Sequence, residues 1–225
     1  MPTVTIGDQT GADFAGAEDC RIDFYQPNTS NNSGELEIVQ NGAAYPAKAP
    51  IKFSGLSNIT GPVTVSSATL YLYLIQQGTF DTATITLRRL LRNWVDSQAT
   101  WNIFSTGNSW GTAGALGDGT DRIATVSAQN TAVEGTGKYF AITSAQLAQD
   151  VEDFINGVNS NYGWLIEMSS STQFKKFASD SYSTAANRPY LSVTYESGGT
   201  AVYPGVILPP APAAFGPERS FGFGY

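Results

Sequence analysis

Ala68-Thr69-Leu70-Tyr71-Leu72-Tyr73-Leu74 alternates apolar and polar or amphipathic side chains without a break. Successive side chains of a β-strand point to opposite faces, so Leu70, Leu72 and Leu74 line one face. Thr69, Tyr71 and Tyr73 line the other. Residues 82–88 repeat the pattern, with Ile85 and Leu87 inward and Thr84, Thr86 and Arg88 outward. Gln77-Gly78-Thr79-Phe80-Asp81 between them reads as a hairpin loop. Further strands are expected near 3–6, 20–25, 35–40, 48–53, 121–127, 137–142, 162–168, 173–179 and 190–195. About ten short strands with Gly, Asn and Ser turns indicate an all-β, jelly-roll β-sandwich.

One short amphipathic helix is expected at about 144–156. Leu147, Val151, Phe154 and Ile155 fall on one face at helical spacing, Thr143 and Gln146 suggest a capping box, and Gly157 supplies the stop. Asp150, Glu152 and Asp153 read as its solvated face.

Composition narrows the chemistry. There is no histidine in the 225 residues, which removes the commonest general base, the commonest zinc ligand and every Ser-His or Cys-His nucleophile pair. A single cysteine, Cys20, excludes an intramolecular disulfide and reads as a buried apolar residue. A net charge of −7 repels a phosphate backbone, so nucleic acid is not an expected partner. No apolar run approaches a membrane span, and the first residues show no secretory signal. Catalysis is not expected, since no two carboxylates are paired by the sequence across a cleft.

After Ser197 the character changes. Residues 200–225 hold five prolines and no regular periodicity, and end in Phe221-Gly222-Phe223-Gly224-Tyr225. The chain thus divides into a sandwich domain, 1–197, and an extended Pro/Gly/aromatic arm, 198–225. Phe215, Phe221, Phe223 and Tyr225 are the residues with which the arm would dock on another chain.

Four segments in order resemble DNRLRE-type domains. Ile51–Ile59 and Val63–Leu74 resemble the opening strands, and Arg92-Asn93-Trp94-Val95-Asp96-Ser97-Gln98-Ala99-Thr100-Trp101-Asn102 with Trp110 resembles the tryptophan signature. Phe140–Gly157 with Asn161–Ile166, then Phe177–Asp180 with Arg188–Tyr195, resemble the closing half. The resemblance covers roughly residues 20–196, with Asp96 where Glu is usual and Phe154 where Trp is frequent. It implies a jelly roll related to carbohydrate-binding modules, some of which bind acidic polysaccharides such as alginate. Such domains also occur in cell-surface proteins and in structural proteins of bacterial viruses.

Candidate ligand residues follow from exposure and chemistry. Tyr71 and Tyr73, set beside Thr84, Thr86 and Arg88, form a possible glycan platform or subunit surface, with ordinary cross-strand pairing as the plainer reading. Arg88, Arg89 and Arg92 would suit uronic-acid carboxylates, although Arg88 and Arg89 point to opposite faces. Trp94 and Trp101 read as core, and Trp110 as the tryptophan open to a sugar. Asp118-Gly119-Thr120-Asp121 and the Asp8–Asp19 stretch contain groups that calcium accepts, but turn chemistry explains both, and no cofactor is expected.

Two functions remain at this stage. The first is a non-catalytic structural protein of a virion surface, a bacteriophage capsid decoration or appendage subunit whose arm holds it to other virion proteins or copies of itself. The alternative is a secreted polysaccharide-binding module acting outside the cell. The first is the sequence-based expectation, because the domain begins close to Met1 without an export signal and ends in an aromatic arm.

Overall fold

A computed structural model describes residues 1–40, 46–78, 83–131, 135–169 and 174–198 and shows an all-β sandwich of jelly-roll type. The strands are β1 (Thr3–Gly7), β2 (Ala17–Asp19), β3 (Ile22–Asp23), β4 (Glu35–Val39), β5 (Ala47–Phe53), β6 (Val63–Gln77) and β7 (Thr84–Arg89). They continue with β8 (Ile103–Ser105), β9 (Asn108–Ser109), β10 (Ala128–Asn130), β11 (Lys138–Thr143), β12 (Trp164–Ser169), β13 (Phe174–Ala178) and β14 (Tyr190–Ser197). The helix α1 spans Ala145–Ile155. The arm residues Phe215, Phe221, Phe223 and Tyr225 lie outside the described residues.

One layer is built on the long strand β6. Its first half pairs with β14, which pairs in turn with β1, and its end pairs with β13, which leads to β4. On the other side of β6 runs β11. The second layer holds β10, β7, β12 and β5, with β2 and β3 beside β5. Between the layers lie Leu70, Leu72 and Leu74 of β6, Ile85 and Leu87 of β7, and Ile51 and Phe53 of β5. Trp164 and Ile166 of β12 and Phe177 of β13 complete this core, and all ten are buried. Fully burying each such side chain stabilises the fold by roughly 1.5–3 kcal/mol.

The alternation therefore assigns the inner face correctly, but the hairpin reading fails. Strand β6 has neighbours along both edges, so β7 has no place beside it and joins the opposite layer. Both strands still turn their leucines to the same core, which is why period two was preserved. Residues 121–127 are not a strand either. Among them Arg122 makes only isolated bridges to Leu90 and Asp118, and regular pairing begins at Ala128.

Helix α1 continues from β11 along the edge of β6. Its N-cap is Ser144, whose Oγ accepts from Leu147 N at 2.9 Å. Thr143 is still strand and donates to Ala68 O, so the expected cap is displaced by one residue. At the other end Asn156 imitates a strand, accepting from Val63 N and donating to Val63 O, each at 2.9 Å. Asp150 is buried, not solvated, and accepts from Ser127 Oγ at 2.6 Å and from Trp164 Nε1 at 2.9 Å. The indole buried between the layers needed an acceptor, and the helix brings one.

Candidate functional site

The outer face of the β5–β12–β7 layer has two halves. Over one half folds the 92–118 loop, with a second small core of Cys20, Ile22, Leu90, Trp94, Trp101, Trp110 and Leu165. Trp94 Nε1 donates to Tyr162 O at 2.8 Å and Trp110 Nε1 to Thr100 O at 3.0 Å. Trp110 is only 5% exposed, so its expected role as a glycan-facing ring is corrected: its ring holds the loop down. Gly114, at φ +78°, lies so close that a Cβ there would meet the Trp101 ring at 2.5 Å. Fully buried Asp121 ties the loop end, accepting from Gly111 N at 2.7 Å, Thr112 N at 2.8 Å and Gly117 N at 3.1 Å. This turn chemistry occupies the carboxylate of the Asp118–Asp121 segment.

The other half is open and charged. Lys48 of β5, Glu167 of β12 and Thr86 of β7 are cross-strand neighbours, and Arg88 lies two residues along β7 on the same face. Arg122 enters from the loop that follows Asp121. Together with Gln40 and Met168 these residues line a shallow pocket of about 280 Å³. Glu167 is its hub. Oε1 contacts Lys48 Nζ and Arg122 Nη1, both at 2.5 Å, and Oε2 contacts Arg88 Nε at 3.1 Å. Arg122 Nε is held by Asp118 at 2.9 Å, and Arg88 Nη1 donates to Ala124 O.

Three cations thus surround one carboxylate, and the electrostatics record the imbalance. Burial opposes ionisation of Glu167, but Lys48 and Arg122 outweigh it and hold the carboxyl below the usual glutamate value. Lys48 moves downward as well. Its burial, with repulsion from Arg122 and Arg88, exceeds what Glu167 returns. The two directions are compatible, because Glu167 is shared by three cations and only Arg122 has a second carboxylate, Asp118. A pocket so arranged favours a further anion, and guanidinium groups offer a carboxylate or sulfate paired donors.

The sequence-predicted site is divided by this geometry. Arg88 belongs to the pocket, whereas Tyr71 and Tyr73 lie in the opposite layer, so they do not form one surface with it. Tyr71 stacks on Tyr190 at 4.5 Å between centroids, and Tyr139 meets Tyr73 edge-on at 5.3 Å. The Tyr139 hydroxyl faces Ala186 O and Arg188 O at 2.6 and 2.9 Å. Burial, then Tyr190 and Tyr73, push its pKa up to about 12. These half-buried rings spend their faces on one another. Arg89 points away to Asp150 at 3.7 Å, and Arg92 reaches Asp121 at 3.5 Å, so the arginine triplet is no single patch. Phe24, packed edge-on against Trp101 at 5.6 Å, is 46% exposed on the pocket's side of the sheet, and Tyr25 beside it is 71% exposed.

Lys48, Glu167 and Arg122 were missed by sequence reasoning. A signal was present: each of Ala47-Lys48-Ala49-Pro50-Ile51 and Trp164-Leu165-Ile166-Glu167-Met168 has one charge in an apolar strand, and the signs are opposite.

A jelly-roll sandwich with a charged recess on one outer face has the form of a ligand-binding module. The model of carbohydrate-binding module family 96 matches residues 22–195, and the chain belongs to that family. No curated protein matches the sequence. The family is one of non-catalytic binding modules. The match favours the polysaccharide-binding alternative over the virion reading expected from the sequence.

Proposed function

We propose that this chain is a non-catalytic, extracellular polysaccharide-binding module whose Lys48–Glu167–Arg122–Arg88 pocket takes the acidic group of a charged glycan. The observation that carries the reading is a recess where Lys48, Arg88 and Arg122 meet the carboxylates of Glu167 and Asp118, leaving one positive charge in excess in a protein with net charge −7. The overall negative charge does not prevent this. Exposed charges more than about 8–10 Å away are largely screened at physiological salt, while the partly buried cations of the pocket are not. Phe24, 46% exposed, offers an apolar face on which a sugar ring can stack.

Affinity electrophoresis with polyuronates, sulfated glycans and neutral glucans tests it. Wild-type protein should be retarded by an acidic glycan and less so by neutral ones. Arg88→Gln should weaken that retardation about 10- to 100-fold, the loss of one charge-assisted contact worth roughly 1.5–3 kcal/mol. Equal retardation by neutral and acidic glycans, or an unaltered Arg88→Gln protein, would sink the proposal.

A further inference from the structure

A smaller hollow of about 120 Å³ lies behind the Glu167 pocket, where β7 and residues 122–127 meet the start of α1. Arg89 and the buried Ser127 and Asp150 form its floor, and Ile123 and the exposed Thr125 and Gln146 its rim. Strand β7 creates the division by sending its two arginines to opposite faces. Arg88 continues the outward row of Thr86 into the pocket, whereas Arg89 continues the inward row of Ile85 and Leu87. The neighbouring segment divides in the same way. Ile123 N donates to Arg89 O at 2.8 Å, so the two run side by side. Arg122 lines the pocket, Ile123 and Thr125 line the hollow, and Ala124 O between them accepts from Arg88 Nη1.

Within the hollow, donors and acceptors do not balance. Asp150 is fully served, accepting from Ser127 Oγ at 2.6 Å, Trp164 Nε1 at 2.9 Å and Gln146 Nε2 at 3.1 Å. Arg89 is not. Its side chain is only 16% exposed, yet its ion pair with Asp150, at 3.7 Å, is too long for a hydrogen bond. Among the described residues none accepts from its guanidinium, and Gln146 Oε1 and Thr125 Oγ1 on the rim have no protein partner either. Donors left unaccepted at such depth cost free energy that an incoming acceptor restores.

This donor set selects the ligand. Arg89 and Asp150 cancel in charge, so a second carboxylate gains little there. Hydroxyl groups both donate and accept, and two adjacent ones match a guanidinium edge flanked by an amide oxygen and a threonine. The volume equals that of about four waters at about 30 Å³ each, enough for the hydroxyl edge of a sugar ring. We propose, on the acidic-glycan reading of the pocket, that the hollow is a second subsite in which Arg89 holds two neighbouring hydroxyls of the adjoining sugar. A glycan crossing residues 122–125 reaches both sites, and its free hydroxyls as well as its acid groups then decide whether it is held.

Titration calorimetry of the full chain separates the two sites, using a short oligouronate and the same oligomer O-acetylated, which keeps the carboxylates but blocks the hydroxyls. Wild type should bind the unmodified oligomer about 3- to 10-fold more tightly, the net worth of about one hydrogen bond. Arg89→Lys keeps the charge beside Asp150 but not the planar fork, and should abolish that preference. Thr125→Val, on the exposed rim, should reduce it and carries the test should Arg89→Lys not fold. Arg88→Gln should weaken both oligomers alike and leave the preference intact. If wild type shows no preference, or both hollow variants retain it in full, the hollow is no subsite, although the pocket reading stands. If Arg88→Gln binds as wild type does while Arg89→Lys loses the preference, the pocket reading fails and the hollow remains. Binding of neither oligomer overturns both.

Discussion

Replacing Glu167 by Gln leaves Lys48, Arg88 and Arg122 together without their common counter-ion, while an oxygen remains to accept one hydrogen bond. Three contacts of 2.5, 2.5 and 3.1 Å lose their charge at once. Removing one partner of a buried ion pair costs about 3–5 kcal/mol. The recess opens to water and the glutamine still accepts, so the lower range of about 2–3 kcal/mol is expected after allowance for screening. For a domain of this size that corresponds to a fall of about 4–12 °C in melting temperature. The same variant should bind acidic glycan more tightly than wild type, because the ligand no longer competes with Glu167. An anionic ligand at about 100 times its Kd contributes about 2.7 kcal/mol, so it should recover most of the lost stability. Thermal melts of both proteins with and without a polyuronate, and with a neutral glucan as control, provide the assay. A loss below about 0.5 kcal/mol, or a variant that no acidic glycan rescues, would refute the reasoning.

Leu72→Ala should destabilise the domain by about 2–5 kcal/mol in urea unfolding, because the side chain is wholly within the sandwich core. Tyr73→Ala should cost less, since that ring is half-buried and loses mainly its contact with Tyr139. Trp110→Ala should cost about 3–5 kcal/mol by emptying the core of the 92–118 loop, and any loss of glycan binding should track this unfolding in a melt followed by fluorescence. Stability should fall as pH rises from 5 to 7.5, because burial raises the Asp180 carboxyl. A carboxyl raised to about 6 contributes stability below its unfolded value of 3.8, and that contribution is lost as pH climbs through 6. Glu167, which is lowered, acts in the opposite sense only below about its usual 4.5, so it does not mask the effect. Asp180→Asn should flatten the profile, and a wild-type profile already flat would contradict a raised carboxyl at Asp180.

The leucine alternation from 68 to 74 was sufficient to assign the inner face, because a one-residue slip would bury Tyr71 and Tyr73 instead. The same alternation could not say which strand lies beside β6. Period two records the face that is buried, whereas the neighbour depends on distant edges, here β11, β13 and β14. For the same reason Arg88 was legible as an outward cation but not its companions. Lys48, Thr86, Arg122 and Glu167 come from three strands and a loop, and only the β5–β12–β7 register unites them. The tryptophans misled at Trp110, since a ring in a loop can equally build that loop's core. Asp19 and Asp180 show the limit most clearly: 161 residues separate two carboxylates whose amides exchange hydrogen bonds.

The most direct test of the binding account is a nuclear magnetic resonance titration of the wild-type protein with a short oligouronate. Arginine Nε–H signals of Arg88 and Arg122 and the amides of Lys48, Thr86 and Glu167 should shift together, saturably and with one Kd. The Tyr71, Tyr73, Tyr139 and Tyr190 resonances should stay in place. Shifts confined to those tyrosines, with the arginine signals unmoved, would contradict the claim that the basic pocket is the glycan site.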